Sequence, residues 1–217
     1  MELRVGGKYK LTKRLGEGAF GKIYAGVNVK TNEEVAIKLE KLDTNRPQLH
    51  YESKIYKLLQ GNAGVPVIHW FGVEGDYNCL IMGILGPNLE QLFDFCERQF
   101  TIGTVLNLGL QMLNRLEWLH SKNFVHRDLK PENILIGQGK KCNIAYLIDL
   151  GLAKRYLCPK TGQHIPFRKE KGIVGTSKYM SLSAHLGNEH SRRDDLEALC
   201  IILIYFLQGG KLPWDIP

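Results

Sequence analysis

The chain has 217 residues, 44% of them hydrophobic, which suits one large domain or two small lobes and excludes a disordered polypeptide. Its net charge of +7 favours acidic or phosphorylated partners, and no nucleic-acid-binding motif accompanies that charge. No apolar run approaches the roughly 20 residues of a membrane span, the N-terminus has no apolar signal region, and the five scattered cysteines form no C-x-x-C pair; this predicts an intracellular protein with reduced thiols rather than a disulfide frame or zinc site.

In chain order, Tyr9 to Leu15, Lys22 to Val27 and Glu34 to Glu40 read as strands separated by Gly- and Asn-rich turns. Val35, Ile37 and Leu39 alternate with Ala36 and Lys38, a period of two. Gln48 to Leu59 reads as a helix, with Pro47 before it and Gly61 after it. Tyr77 to Met82 returns to strand. Leu85, Gly86 and Pro87 mark a turn, beyond which helices dominate. Asn88 is a candidate N-cap for a segment ending near Gln99. Leu106, Leu110, Leu113 and Leu116 recur at helical spacing, so Thr101 to Ser121 is expected to be a long amphipathic helix. Leu196 to Leu207 is apolar nearly all round, which predicts a helix buried in the core.

Four motifs carry chemistry. Gly16-Glu17-Gly18-Ala19-Phe20-Gly21 is a G-x-G-x-x-G. Dinucleotide-binding turns share this spacing, but there the glycines open a helix, whereas strand-like residues flank this stretch on both sides. A hairpin lid over phosphates fits that context, and an ordinary structural turn remains open. Val35-Ala36-Ile37-Lys38 places a lysine on a strand, and Glu52 follows on the predicted helix. A lysine facing phosphates needs such a carboxylate to hold its ammonium; taken singly, both residues could simply face solvent.

The third motif, His126-Arg127-Asp128-Leu129-Lys130-Pro131-Glu132-Asn133, is the most specific. Phosphoryl transfer needs a carboxylate to orient the attacking hydroxyl and accept its proton, and Asp128 suits that role. Lys130 can neutralise charge on the transferred phosphate, and Asn133 offers an amide oxygen to a cation. The fourth, Asp149-Leu150-Gly151 after the apolar Tyr146-Leu147-Ile148, places a carboxylate at a strand end, where it suits a hard cation such as Mg²⁺. An Asp before Gly is by itself more often a turn.

These motifs in this order resemble the eukaryotic protein kinases. Finer marks are Glu52-Ser53-Lys54-Ile55-Tyr56, Gln163-His164-Ile165-Pro166-Phe167-Arg168, Gly175-Thr176-Ser177-Lys178-Tyr179, Ser191-Arg192-Arg193-Asp194-Asp195-Leu196-Glu197 and the lack of Ala-Pro-Glu after the activation segment. On them the chain is similar to the casein kinase I family of serine/threonine protein kinases.

That resemblance implies an α+β bilobal fold over residues 9–217, with a β-rich N-lobe of about residues 1–85 and a helical C-lobe of about 86–217. It also implies further helices beyond Pro217, so the C-lobe is expected to be incomplete and its central apolar helix partly uncovered. ATP and Mg²⁺ are the implied cofactors. Leu15, Gly16, Glu17, Gly18, Ala19, Phe20, Gly21, Lys22, Ile23, Ala36, Lys38, Met82, Leu85, Asn133, Leu135 and Asp149 would bind the nucleotide, with Asn133 and Asp149 on the metal. Asp128, Lys130, Asn133, Lys38, Glu52 and Thr176 would form the catalytic set, and Asp195 would anchor the catalytic loop. The implied substrates are acidic or phospho-primed proteins, read by Arg168, Lys171 and Lys178, with Lys169 in the same basic run. Lys178 stands where relatives usually carry arginine, and Leu150 replaces the usual phenylalanine. The complete protein is expected to be monomeric, cytoplasmic or nuclear. A catalytically weak or inactive kinase-like fragment acting as a binding module is the alternative.

Overall fold

The computed structural model describes residues 4–18 and 21–215. Its chain divides into two compact units, the first running to Gly61 and including Val65–Gly86, the second formed by Asn62–Gly64 and the residues from Pro87 onward.

The first unit is an antiparallel sheet with one helix. Strands β1 (Arg4–Val5), β2 (Tyr9–Gly18), β3 (Gly21–Asn28) and β4 (Glu34–Lys41) precede helix α1 (Leu49–Leu59), and β5 (Ile68–Glu74) and β6 (Tyr77–Gly83) follow it, in the spatial order β1-β2-β3-β4-β6-β5. The period of two sets the two faces of β4. Val35 and Ile37 join Val5, Tyr9, Cys79 and Ile81 in a buried cluster, while Ala36, Lys38 and Glu40 point the other way.

The start of α1 has a cap that comes from the sheet. Gln48 makes no side-chain cap. Instead Glu40 Oε1 accepts hydrogen bonds from the amides of Gln48 and Leu49 at 2.7 and 3.0 Å, and Asn78 Nδ2 donates to Glu40 Oε2 at 3.2 Å. A carboxylate here satisfies orphan amides and opposes the positive end of the helix. Because Glu40 lies two residues past Lys38 on the same strand, the cap also fixes the helix against the lysine-bearing face.

The second unit is mainly helical. Helix α2 (Leu89–Phe95) opens with a reciprocal capping box between Asn88 and Gln91, and Thr101 caps α3 (Ile102–Ser121). Four short strands follow, β7 (Phe124–Val125), β8 (Ile134–Ile136), β9 (Ala145–Leu147) and β10 (Lys154–Arg155), then helices α4 (Leu182–His185) and α5 (Arg192–Leu207). Strand β7 pairs with β10, and β8 pairs with β9. Residues 126–133 are therefore held between two strand pairings, and Asp149 lies two residues past the end of β9.

Three expectations change. Helix α2 stops at Phe95, short of Gln99, and Glu97 and Arg98 adopt positive φ of 53° and 59°. Arg98 is drawn back over the Phe93 ring, 4.8 Å from its centroid, and donates to Tyr205 Oη at 2.5 Å, to Glu90 at 3.1 Å and to Asp94. On α3 the stripe Leu106, Leu110 and Leu113 is exposed, and the buried face is Val105, Gly109, Met112, Leu116 and Leu119. At about 100° per residue the two faces are roughly a quarter-turn apart, with only Leu116 shared.

Helix α5 is also not buried all round. It buries Asp194, Asp195, Ala198, Leu199, Ile202, Tyr205 and Phe206, but Leu196, Ile204 and Leu207 are 41%, 48% and 51% exposed. Its buried side carries two carboxylates, so packing rather than hydropathy selected the inward face. No helix among the described residues is long and apolar enough to cross a membrane.

Candidate functional site

In the sheet unit, Lys38 Nζ meets Glu52 Oε2 at 2.7 Å, with the glutamate side chain 2% and the lysine 13% exposed. The pair joins β4 to α1, so a lysine and a glutamate far apart in sequence meet because Glu40 docks the helix. The G-x-G-x-x-G stretch spans the β2–β3 hairpin, with Gly16 opposite Ile23, Glu17 opposite Lys22 and Gly18 opposite Gly21. Strands on both sides set it apart from a strand-to-helix dinucleotide turn. Ala19 and Phe20 lie outside the described residues. Gly21 has φ +148°, and a Cβ there would fall 2.1 Å from the Leu39 carbonyl oxygen, so only glycine fits. Leu15 is exposed and Ile23 half-buried, and Ala36 pairs with buried Met82 across β4 and β6. Leu85 is half-buried in this same unit.

In the helical unit, residues 126–133 form a closed hydrogen-bond network. Asp128, 6% exposed, receives Thr176 Oγ1 on Oδ1 at 2.7 Å and Lys130 Nζ on Oδ2 at 3.1 Å. Asn133 Nδ2 donates to the Asp128 carbonyl at 2.9 Å and to Oδ2 at 3.3 Å, which turns the Asn133 amide oxygen away from Asp128. Lys130 Nζ also reaches Thr176 Oγ1 at 3.2 Å. Four of the expected catalytic residues thus share one cluster.

The loop is fixed from below by Asp195 of α5, which is 2% exposed. Its Oδ2 accepts from the His126 amide at 2.8 Å and pairs with His120 Nε2 at 2.8 Å, and its Oδ1 accepts from the Arg127 amide at 3.0 Å. Arg127 has φ 71°, a left-handed conformation that costs a non-glycine residue about 1–3 kcal/mol. The Asp195 contact and the bond from Arg127 Nε to the Leu152 carbonyl at 2.7 Å offset it. His126 connects the loop to the strand before Asp149. Its Nδ1 accepts from the Asp128 amide at 3.2 Å, which makes Nε2 the protonated nitrogen that donates to the Ile148 carbonyl at 3.0 Å. The Ile148 amide donates to the Asn133 carbonyl at 2.9 Å. Asp149, half-buried with φ 63°, is thereby set just past a strand end tied to Asn133, and Leu135 lies on β8, paired with Tyr146 and bridged to Asn88.

The donor set of Asn133 and Asp149 is oxygen only. Mg²⁺ commonly takes one or two protein oxygens and completes its shell with substrate phosphates and water, so the pair fits that ion. No cluster of three or more His, Cys, Asp or Glu suited to a metal occurs among the described residues. Gly175, one residue before Thr176, has φ +102°, and a Cβ there would come within 2.3 Å of the Arg127 carbonyl oxygen. Glycine lets the later segment press against the loop and deliver the Thr176 hydroxyl. A cavity of about 20 Å³ walled by Asp128, Thr176, Ser181 and Asp195 has room for a water and none for a substrate.

The expected anion-binding residues do not form one open cluster. Arg168 and Lys169 are exposed. Lys171 Nζ lies 3.9 Å from Glu189 Oε2, and Lys154 Nζ is 2.6 Å from Glu189 Oε1. Burial pushes the Glu189 carboxyl up, but the Lys154 hydrogen bond and the charges of Lys154, Lys171 and Arg127 hold it below the usual carboxylate range. Lys178 Nζ pairs with Asp215 Oδ2 at 2.8 Å. Two of the three cations expected to meet a substrate anion therefore already face carboxylates of the chain itself.

Sequence reasoning missed Glu40, His120, Glu189 and Asp215. Nothing local marks the contacts Glu40–Gln48, His120–Asp195, Lys154–Glu189 and Lys178–Asp215, which join residues 8 to 75 positions apart; Asp195 itself was expected, from the family resemblance. In comparison with known proteins, the family model described as protein kinase domain matches residues 9–216, nearly the whole chain.

Proposed function

The chain belongs to the protein kinase family, and we propose that it transfers the γ-phosphoryl group of ATP to serine or threonine hydroxyls of acidic or phospho-primed proteins, in the manner of the casein kinase I family. The single observation that carries the catalytic part is the Asp128 carboxylate, gripped by Thr176, Lys130 and Asn133 within hydrogen-bond distance. The serine/threonine and substrate preferences rest on the sequence resemblance and on the exposed basic residues near Thr176.

In this mechanism the substrate hydroxyl oxygen forms a bond to the γ-phosphorus as the bond from that phosphorus to the bridging oxygen breaks. ADP departs with the electron pair, and Asp128 accepts the hydroxyl proton. Thr176 aims one carboxylate oxygen and leaves the other toward Lys130, whose ammonium meets the charge on the transferring group. Asn133 and Asp149 would hold Mg²⁺, which supplies Lewis-acid neutralisation of the phosphate oxygens. Lys38, steadied by Glu52, would bind the α- and β-phosphates, and Gly16, Gly18 and Gly21 would let backbone amides approach them. Leu15, Ile23, Ala36, Met82, Leu85 and Leu135 would supply the apolar surface for the adenine.

The test is phosphotransfer to an acidic protein substrate by the chain and by Asp128→Asn. The substitution keeps the shape and removes the base, so transfer should fall by about 10²–10⁴-fold with the folded signal unchanged. Equal, background-level transfer from both folded proteins would overturn the catalytic reading and leave a kinase-like binding module in its place.

A further inference from the structure

Lys178 sits two residues after Thr176, in the short turn Ser177–Tyr179, close in sequence to the hydroxyl that meets Asp128. Its surroundings are built by the chain itself. The ammonium lies 4.7 Å from the Tyr205 ring centroid and 5.9 Å from that of Tyr179, a position that favours a cation. The segment from Leu212 then folds over it. Leu212 is buried and anchors the segment. Trp214 Nε1 donates to the Lys178 carbonyl at 2.9 Å. Asp215 Oδ2 accepts from the Leu212 amide at 3.0 Å and pairs with Lys178 Nζ at 2.8 Å. The Lys178 hydrogen bond, followed by that of the Leu212 amide, keeps the Asp215 carboxyl below the usual carboxylate range.

We infer that Asp215 is a specificity-determining residue: its carboxylate occupies the anion-facing side of Lys178 and weakens selection for a phosphorylated residue upstream of the target. The inference rests on the acidic or phospho-primed substrate reading above. A lysine ammonium is a compact point charge with no fixed fork. Paired at 2.8 Å it presents little net charge, and an incoming phosphate dianion meets the repulsion of Asp215 as well as the attraction of Lys178. Trp214 ties its segment to the Lys178 carbonyl and the Leu212 amide holds the Asp215 carboxylate, so the pairing does not depend on two free side chains meeting by chance. Arg168 and Lys169, exposed and in no ion pair among the described residues, are then the cations left for a substrate carboxylate.

The experiment compares kcat/KM for peptides that differ only in serine or phosphoserine one to four residues upstream of the target serine. Asp215→Asn keeps the shape and the acceptor for the Leu212 amide and removes only the charge. The ratio of primed to unprimed kcat/KM should rise about two- to fivefold in Asp215→Asn, the range expected of a partly exposed ion pair, and the rise should vanish in Asp215→Asn/Lys178→Gln. A rise that persists in the double variant would overturn the inference, since Lys178 would not be its source. A wild-type ratio well above one that Asp215→Asn leaves unchanged overturns the inference while the primed-substrate reading stands. A ratio of one in every variant overturns both.

Discussion

Residues 126–133 and residues 163–178 are both polar loops with the residue types of a reaction centre, yet they are built on opposite terms. In the first, the buried carboxylate of Asp128 is met from within the loop by Lys130 and Asn133, from the later segment by Thr176, and from below through Asp195. In the second, the cations are mostly exposed, and two of them are met by Glu189 and Asp215, which lie well outside the segment. A motif predicts geometry as far as its partners lie inside it, as Lys130 and Asn133 do for Asp128. When the partners come from elsewhere, the same residue types reveal a charge and not its use.

The largest break in this contrast should come from Asp195. Asparagine there keeps one oxygen but loses the charge that draws two amides and His120 together, which should cost about 2–3 kcal/mol and lower the midpoint of thermal unfolding by roughly 5–10 °C. Phosphotransfer should fall along with it, as the left-handed backbone at Arg127 loses its support. An unfolding midpoint equal to that of the parent chain would show that the loop is rigid without α5.

A smaller effect is expected at Thr176. Alanine removes the hydroxyl that aims Asp128, a loss of about 1–2 kcal/mol and so roughly tenfold in kcat, with stability nearly unchanged. Serine should restore most of the rate, because the hydroxyl and not the methyl makes the contact. Equal rates for the alanine and serine variants would place Thr176 outside the catalytic cluster.

The smallest effect belongs to Glu189, the buried carboxylate that meets Lys171 of the second segment. Its carboxyl is held below the usual range by its lysine partners. The folded state therefore binds this proton less readily than the unfolded chain does. The resulting stability is complete above the unfolded value of about 4.3 and is lost as pH falls through the lower folded value. In Glu189→Gln, the denaturation midpoint should fall less steeply with acid over this window. An identical acid limb in both proteins would mean that Lys154 and Lys171 do not hold the carboxylate in solution.

Much of the site was legible because short motifs are closed systems. Asp128, Lys130 and Asn133 lie within six residues, and a turn of that length leaves few ways to arrange them. Lys38 and Glu52 were legible as candidates, but their contact depends on Glu40 capping α1, a bond between a strand and a helix that no local pattern encodes. The leucine stripe on α3 shows the limit from the other side. Spacing established a helix, but the stripe Leu106, Leu110 and Leu113 faces outward while Val105 and Met112 pack. The short strands β7 to β10, two or three residues each, carry too little periodicity to register, although they are what hold the loop.

The sequence by itself determined the family, because the residue types and their order in residues 16–21, 35–38, 126–133 and 149–151 are those of a protein kinase domain, which the family match bears out. It also determined most of the helices and longer strands, through periodicity and the cap at Asn88, but not β5 or α4. Only the tertiary structure decided which charges remain available. Glu189 and Asp215 take up lysines that the sequence offers to a substrate, and Asp195 turns a polar loop into a fixed one. The reason is physical: a charge acts through whatever lies within a few ångströms, and for these residues those neighbours are brought by the fold from distant parts of the chain.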